Sequence, residues 1–308
     1  MSLQGIILKL QEFWSLNGCY IASGYDSEVG AGTMTPDTFF RVLGRKPWKA
    51  AYWQPSRRPD DGRYAENPNR VQKHNQFQVI IKPAPKDGQN LYLNSLEHLG
   101  IDIRKHDIKF DEDNWASPSL GAWGVGWQVM CDGLEITQFT YFQQAGGINL
   151  NPNTLEITYG LERLAGFLDK KDSIYDIEWG NKVSYAELRT EEEKQFSIYN
   201  FEKADINFLR STFGLYQEET ERLIEAGLYL PAFDYLLKCS HTFNIMDARK
   251  AISVAERTSM MGIIRNFSAN IARLYVEDEE RKEKEIERQF AEADTDPLIS
   301  QGKEDSHG

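Results

Sequence analysis

Gln54-Pro55-Ser56-Arg57-Arg58-Pro59-Asp60-Asp61-Gly62-Arg63-Tyr64-Ala65-Glu66-Asn67-Pro68-Asn69-Arg70 stands between two β-prone runs, Ala50-Ala51-Tyr52-Trp53 and Phe77-Gln78-Val79-Ile80-Ile81. The pattern predicts a hairpin closed by a long arginine-rich loop. Arg57, Arg58, Arg63 and Arg70 fall within 14 residues. Planar guanidinium groups stay charged and grip carboxylate or phosphate oxygens bidentately, so the loop suits an anionic ligand. The plain alternative is a solvated loop whose arginines pair with Asp60, Asp61 and Glu66.

Around this hairpin, residues 19–168 are rich in Gly, Pro and Trp and contain further strand-like runs, Leu134–Thr137 and Leu155–Tyr159. Regular helices do not separate them, which argues against an alternating parallel βαβ sheet and favours a mixed, mainly antiparallel one with flanking helices. A helix is expected over residues 2–16, from the spacing of Ile6, Ile7, Leu10, Phe13 and Trp14 and the stop at Asn17-Gly18. From Ser184 onward the spacing is helical, with capping boxes expected at Ser184-x-x-Glu187 and Thr190-x-x-Glu193. The mixed-sign run Glu277–Glu287 suits a solvated helix face. The expected division is residues 1–170, 171–285 as a separate helical domain, and 286–308 as a charged helix end and flexible tail.

The chain has 308 residues, with 35 Lys and Arg against 47 Asp and Glu, a formal net charge of -12. Such a balance disfavours unaided nucleic-acid binding, which rests on cationic displacement of phosphate counterions. No apolar stretch approaches the length of a membrane span. Cys19, Cys131 and Cys239 are odd in number and far apart, so neither a disulfide framework nor a zinc site is encoded and a reducing cytoplasm is expected. Gly30-x-Gly32 matches neither a Walker loop nor a dinucleotide fingerprint.

Two other stretches carry chemistry. In Thr154–Leu168, alternation places Glu156, Thr158 and Gly160 on one strand face, polar and roomy, with Arg163 in the first turn of the helix that follows. An edge strand with one wet face is the alternative. Trp115, Trp123 and Trp127, with interspersed glycines, suggest a loop that walls a small cavity with aromatics, core packing being the alternative. Leu134/Ile136 and Phe139/Tyr141 have opposite parity, which predicts a β-bulge between Thr137 and Gln138. Of the histidines, His74 lies beside the arginine loop, within reach of a phosphate, whereas His98, His106 and His241 form no ligand pair.

Taken in order, Gly30–Arg41 around Pro36 (motif 1), Gln54–Pro59 with Gly62–Arg70 and Gln76–Gln78 (motif 2), and Gly160-Leu161-Glu162-Arg163 (motif 3) resemble the three motifs of class II aminoacyl-tRNA synthetases. With Trp123–Trp127 and Thr137–Gln144, the chain resembles the alpha subunits of bacterial heterotetrameric glycyl-tRNA synthetases over about residues 3–285. The resemblance implies an α+β fold, a class II synthetase-like antiparallel β-sheet of six or seven strands flanked by helices, followed by a C-terminal all-helical domain. It implies an alpha–alpha homodimer through motif 1 and a large beta subunit that handles glycine tRNA, the helical domain being the expected docking surface. The implied reaction joins glycine to ATP, with Mg²⁺, as an adenylate and passes the glycyl group to tRNA.

Residue by residue, the resemblance makes Arg57, or its neighbour Arg58, the bridge between the glycine carboxylate and the α-phosphate. Phe77 and Arg163 would sandwich adenine; Gln76 belongs to the same ATP site. Arg63, Arg70, Lys73 or His74 would reach the outer phosphates, Lys73 occupying a slot where His or Arg is common. Glu156 and Gln138 would hold the ammonium group, beside Gln78, Thr158 and Gly160, with Trp115 closing the pocket. Glu135 is the candidate carboxylate for Mg²⁺. Period 2 puts Gln76 and Gln78 opposite Phe77, so without a bulge all three cannot face one ligand. Competing functions are a paralogue that adenylates an amino acid for a non-tRNA acceptor, and a non-catalytic Trp-rich ligand-binding module.

Overall fold

The computed structural model describes residues 1–294. Of the charged helix end and tail expected over 286–308, residues 295–308 lie outside the described residues.

The chain opens with α1 (Leu3–Leu16), whose Ser2 hydroxyl accepts the Gly5 N–H at 3.2 Å and whose chain turns away at Gly18, φ 82°. Then come β1 (Tyr20–Ile21), α2 (Pro36–Val42), β2 (Trp48–Arg57), β3 (Lys73–Lys82), α3 (Gly88–His98), β4 (Ile108–Glu112), β5 (Trp115–Ser117) and β6 (Ala122–Cys131). After these follow β7 (Leu134–Ala145), β8 (Ile148–Gly160), α4 (Leu161–Asp169), the short pair β9 (Glu178–Gly180) and β10 (Val183–Ser184), and α5 (Tyr185–Ile198). A π-helical turn at Tyr199–Lys203 leads into α6 (Ile206–Glu225), α7 (Tyr229–Ala248) and α8 (Val254–Asp294).

The main sheet has the order β1-β2-β3-β8-β7-β6-β4, with β5 also on β6; β1–β2 is parallel and every other pair antiparallel. The hairpin read from the sequence is β2–β3, in register from Trp48 opposite Lys82 to Arg57 opposite Lys73, and residues 58–72 form its loop. One face of the sheet buries Phe77, Val79, Ile157 and Tyr159 against α1, α3 and α4, through Leu10, Trp14, Leu96 and Leu164. On the other face Ile80 and Phe142 join a second core with Phe39, Phe40, Phe233, Leu236 and Ile271.

That second core joins the two units expected from the sequence. Phe39 stacks on Phe233 of α7 at 4.6 Å between centroids, and Phe40 meets Tyr275 of α8 at 5.0 Å. The motif 1 segment is thus packed against its own chain's helical region through one shared apolar core.

Other expectations shift in detail. Ser184 and Glu187 form the capping box, but Thr190 and Glu193 lie inside α5, because the helix has already started at Tyr185. The Trp-rich stretch is strand, β5 and β6, not loop. The bulge sits one residue earlier than expected: Val129 pairs with Thr137 while Met130 pairs with Glu135, leaving Ile136 as the extra residue. The charged run of α8 carries Asp278–Lys282 and Arg281–Asp278 pairs along its surface.

Gly146, in the β7–β8 turn, has φ +56°, and a Cβ there would lie 2.2 Å from the Ala272 Cβ of α8. Gly146→Ala therefore combines left-handed strain with a clash at the sheet–α8 contact and should cost about 2 kcal/mol or more, read as a lower urea midpoint at unchanged slope.

Candidate active site

At the ends of β2, β3, β8 and β7 lies a cavity of 710 Å³. Alternation on β3 turns His74 and Gln76 toward it, and Thr158 and Gly160 of β8 stand next to them. The bulge at Ile136 lets the consecutive residues Glu135, Ile136, Thr137 and Gln138 all reach the wall, which a regular strand would forbid. Trp115, edge-on to Phe142 at 5.2 Å, forms one side.

Beneath the floor is a closed polar network. Glu156 is 1% exposed; Thr33 Oγ1 donates to its Oε1 at 2.6 Å, and Gln78 Nε2 donates to the same oxygen. Thr158 Oγ1 in turn donates to Gln78 Oε1 at 2.8 Å. Burial pushes the Glu156 carboxyl up to about 7, against the opposing pull of Thr33 and Gln78. The Gly30–Gly32 turn roofs this network: the Gly32 N–H donates to Gln76 Oε1 at 2.8 Å, and a Cβ on Gly32 would lie 2.7 Å from Gln78 Oε1. A side chain at this position would push the Gln78 amide out of the network.

Cations ring the mouth. Arg58 donates through Nε to Gly30 O at 2.9 Å, Arg70 grips Asp61 Oδ1 at 2.6 Å, and Arg163 holds Glu135 Oε2 at 2.6 Å. Desolvation first, then Arg163 and Arg70, push down the pKa of Arg58, while Asp61 and Glu135 oppose them. His74 is pushed down to about 3, by burial and then by Arg58 and Arg163, so it is neutral at physiological pH. Three guanidinium groups repelling across one cavity are an arrangement that an anion relieves.

A second buried carboxylate braces the frame. Glu162 accepts the Asn75 N–H at 2.9 Å, the Asn75 amide at 2.6 Å and the Tyr185 hydroxyl at 3.1 Å, and burial raises its pKa. It ties α4 to β3 and α5.

The structure thus brings Arg58, Arg70, His74, Gln76, Trp115, Glu135, Gln138, Thr158, Gly160 and Arg163 to one cavity, with Gln78 and Glu156 under its floor. Four expected residues are elsewhere. Arg57 alternates to the opposite side of β2, where it meets Glu28 at 3.6 Å and lies 5.4 Å from the Phe196 ring. Phe77 is fully buried in the core, 6.2 Å from Tyr159, so it cannot stack on a base in the cavity. Lys73 pairs with Glu192 at 2.7 Å, and Arg63 turns back on the carbonyl of Asp60 at 3.0 Å. Glu135, the candidate metal ligand, has one oxygen taken by Arg163.

Sequence reasoning passed over Thr33, Asn67, Asn69, Asp113 and Glu162, which also line the cavity. Thr33 follows the Gly30-x-Gly32 pair, whose glycine spacing was the available signal; Asp113 comes from the far edge of the sheet and left none.

Among the described residues no helix is long and apolar enough to cross a membrane. The family model described as glycyl-tRNA synthetase alpha subunit matches residues 3–280. The glycine–tRNA ligase alpha subunit of Coprothermobacter proteolyticus is 55% identical over 283 residues, covering 92% of this chain and 97% of that one. Two structures of a pyrrolysyl-tRNA synthetase from Desulfitobacterium hafniense each align with 59% of this chain, covering 74% and 75% of theirs, at 11% and 12% identity and TM-scores of 0.40 and 0.41. Those values are too low to carry an argument. The match along nearly the whole chain does carry one: this chain belongs to the glycyl-tRNA synthetase alpha subunit family.

Proposed function

We propose that this cavity activates glycine with ATP and that the chain, with a separate beta subunit, charges glycine tRNA. A glycine carboxylate oxygen attacks the α-phosphorus of ATP, the bond to the β-phosphate oxygen breaks, and pyrophosphate leaves. A terminal ribose hydroxyl of the tRNA then attacks the glycyl carbonyl and AMP leaves. Such chemistry needs alignment and charge neutralisation more than a strong base.

The observation that supports this reading is the convergence of Arg58, Arg70 and Arg163 over a floor beneath which the Glu156 carboxylate is buried. Arg58, rather than Arg57, is proposed to bridge the glycine carboxylate and α-phosphate, since it shares the cavity face with Gln76. Arg70 and neutral His74 would meet the outer phosphates. Arg163 would cover adenine, with Val71 and Ile174 as the apolar wall in place of Phe77. The ammonium group would rest over the Glu156 network, near Gln138, and Trp115 would close the pocket against larger side chains.

Mg²⁺ fits the donor set: Glu135 and Asp113 offer hard oxygen ligands in the cavity, and among the described residues no three acidic side chains converge there, so phosphates would supply most of its ligands. The ion would neutralise charge on the phosphate oxygens. The acidic net charge of -12 supports a division of labour in which the beta subunit engages tRNA. A homodimer through motif 1 would have to use Pro36, Asp37 and Arg41, which are not fully buried. Free, buried Cys19, Cys131 and Cys239 suit a reducing cytoplasm.

Glycine-dependent ATP–pyrophosphate exchange, run beside alanine and serine with and without the beta subunit, tests the activity; no exchange in either condition overturns it. Arg58→Ala should lower exchange at least ~100-fold, whereas Arg57→Ala should stay within about tenfold of wild type, because its ion pair is partly exposed and outside the cavity.

The buried Glu156 carboxyl sets a pH dependence. Its pKa is raised to about 7, so the folded state favours the neutral acid: this group costs the unliganded fold stability as pH rises from its ordinary value through about 7. Glycine binding needs the charged form. The KM for glycine should rise about tenfold as pH falls from about 8 to about 6, and Glu156→Gln should have a weak, pH-independent KM.

A further inference from the structure

The loop 58–72 brings Asp61, Asn67, Asn69 and Arg70 to the cavity but contains a single helical turn, Pro59–Asp61. A segment this long is held in one place only if its backbone donors find partners. Two of them, from opposite arms of the loop, converge on one side chain of α5: the Arg63 N–H donates to Glu193 Oε1 at 2.9 Å, and the Gln72 N–H donates to Glu193 Oε2 at 2.9 Å. Glu193 is 3% exposed and is not itself part of the cavity lining. One turn later Ser197 donates to Glu193 Oε1 at 3.3 Å and accepts the Tyr64 N–H at 3.0 Å.

A buried carboxylate answered only by amides and a hydroxyl is a costly way to hold a helix against a loop; an apolar side chain would pack there at less expense. What the carboxylate adds is direction, two oxygens that fix the separation of two amides across the loop.

We infer that Glu193 is a positioning residue for ATP: by holding the Arg63 and Gln72 amides together it sets where Arg70, Asn67 and Asn69 stand, and it makes α5 part of the nucleotide site. This rests on the reading that ATP phosphates lie at the arginine-lined mouth. The ammonium floor stands on β3, β7 and β8; Arg58, proposed for the glycine carboxylate, opens the loop but is also tied through its Nε to Gly30 O, so glycine responds less than ATP.

The test uses the full chain with its beta subunit. Glu193→Gln keeps the size but turns an NH₂ toward one loop amide. It should raise the KM for ATP about tenfold, shift the KM for glycine by less than about threefold, and speed hydrogen exchange at the Arg63 and Gln72 amides in the unliganded protein. Glu193→Asp, which keeps both oxygens, should restore part of the ATP affinity, and Ser197→Ala should give a smaller shift in the same direction. Unchanged exchange at those amides, an unchanged KM for ATP, or a parallel rise of both KM values with a lowered Tm overturns the assignment. If wild type itself shows no glycine-dependent pyrophosphate exchange, the glycine reading falls; amide exchange and ATP affinity by calorimetry then decide the role of Glu193 on their own.

Discussion

The register of β3 against β8 sets Gln78 opposite Thr158 and Phe77 opposite Tyr159, and core and cavity both follow from it. On one face the aromatic pair is sealed with Trp14 and Leu164; on the other the amide and hydroxyl join Glu156 and Thr33. A slip of one residue would carry a carboxylate into the hydrophobic core and phenyl rings into the floor of the site. The tight Gly32 roof and the bulge at Ile136 are adjustments made on top of that register.

Charge is arranged against the grain of the molecule. A chain of net charge -12 places three arginines around one cavity, each held by an acceptor, at Gly30, Asp61 and Glu135. Those contacts are partly solvated and weak enough for a phosphate to replace. The buried carboxylates do different work: Glu162 and Glu193 organise backbone donors, while Glu156, beneath the floor, is proposed to meet the ammonium group.

The helical region is continuous with this arrangement. Its aromatic contacts with Phe39 and Phe40 fix the motif 1 segment from one side, and α5 holds the arginine loop from the other. A partner docked on these helices would act on elements that also bear on the proposed nucleotide site.

Much of this was legible in the residues. The arginine hairpin, the polar alternation of Glu156, Thr158 and Gly160, the α1 boundaries and a bulge in β7 are local patterns, fixed by period, parity and turn chemistry over a few positions. Even the incompatibility of Phe77 with Gln76 and Gln78 was visible, because side chains alternate in any strand. What the sequence by itself could not say is which of two faces is the cavity, and hence that Arg58 rather than its neighbour Arg57 stands in it and that Phe77 belongs to the core. Nor could it say that Glu193, read as a cap, reaches across 121 positions to the Gln72 amide. Those outcomes depend on what packs above and below the sheet, and burial is a property of neighbours distant in the chain, which no local pattern encodes.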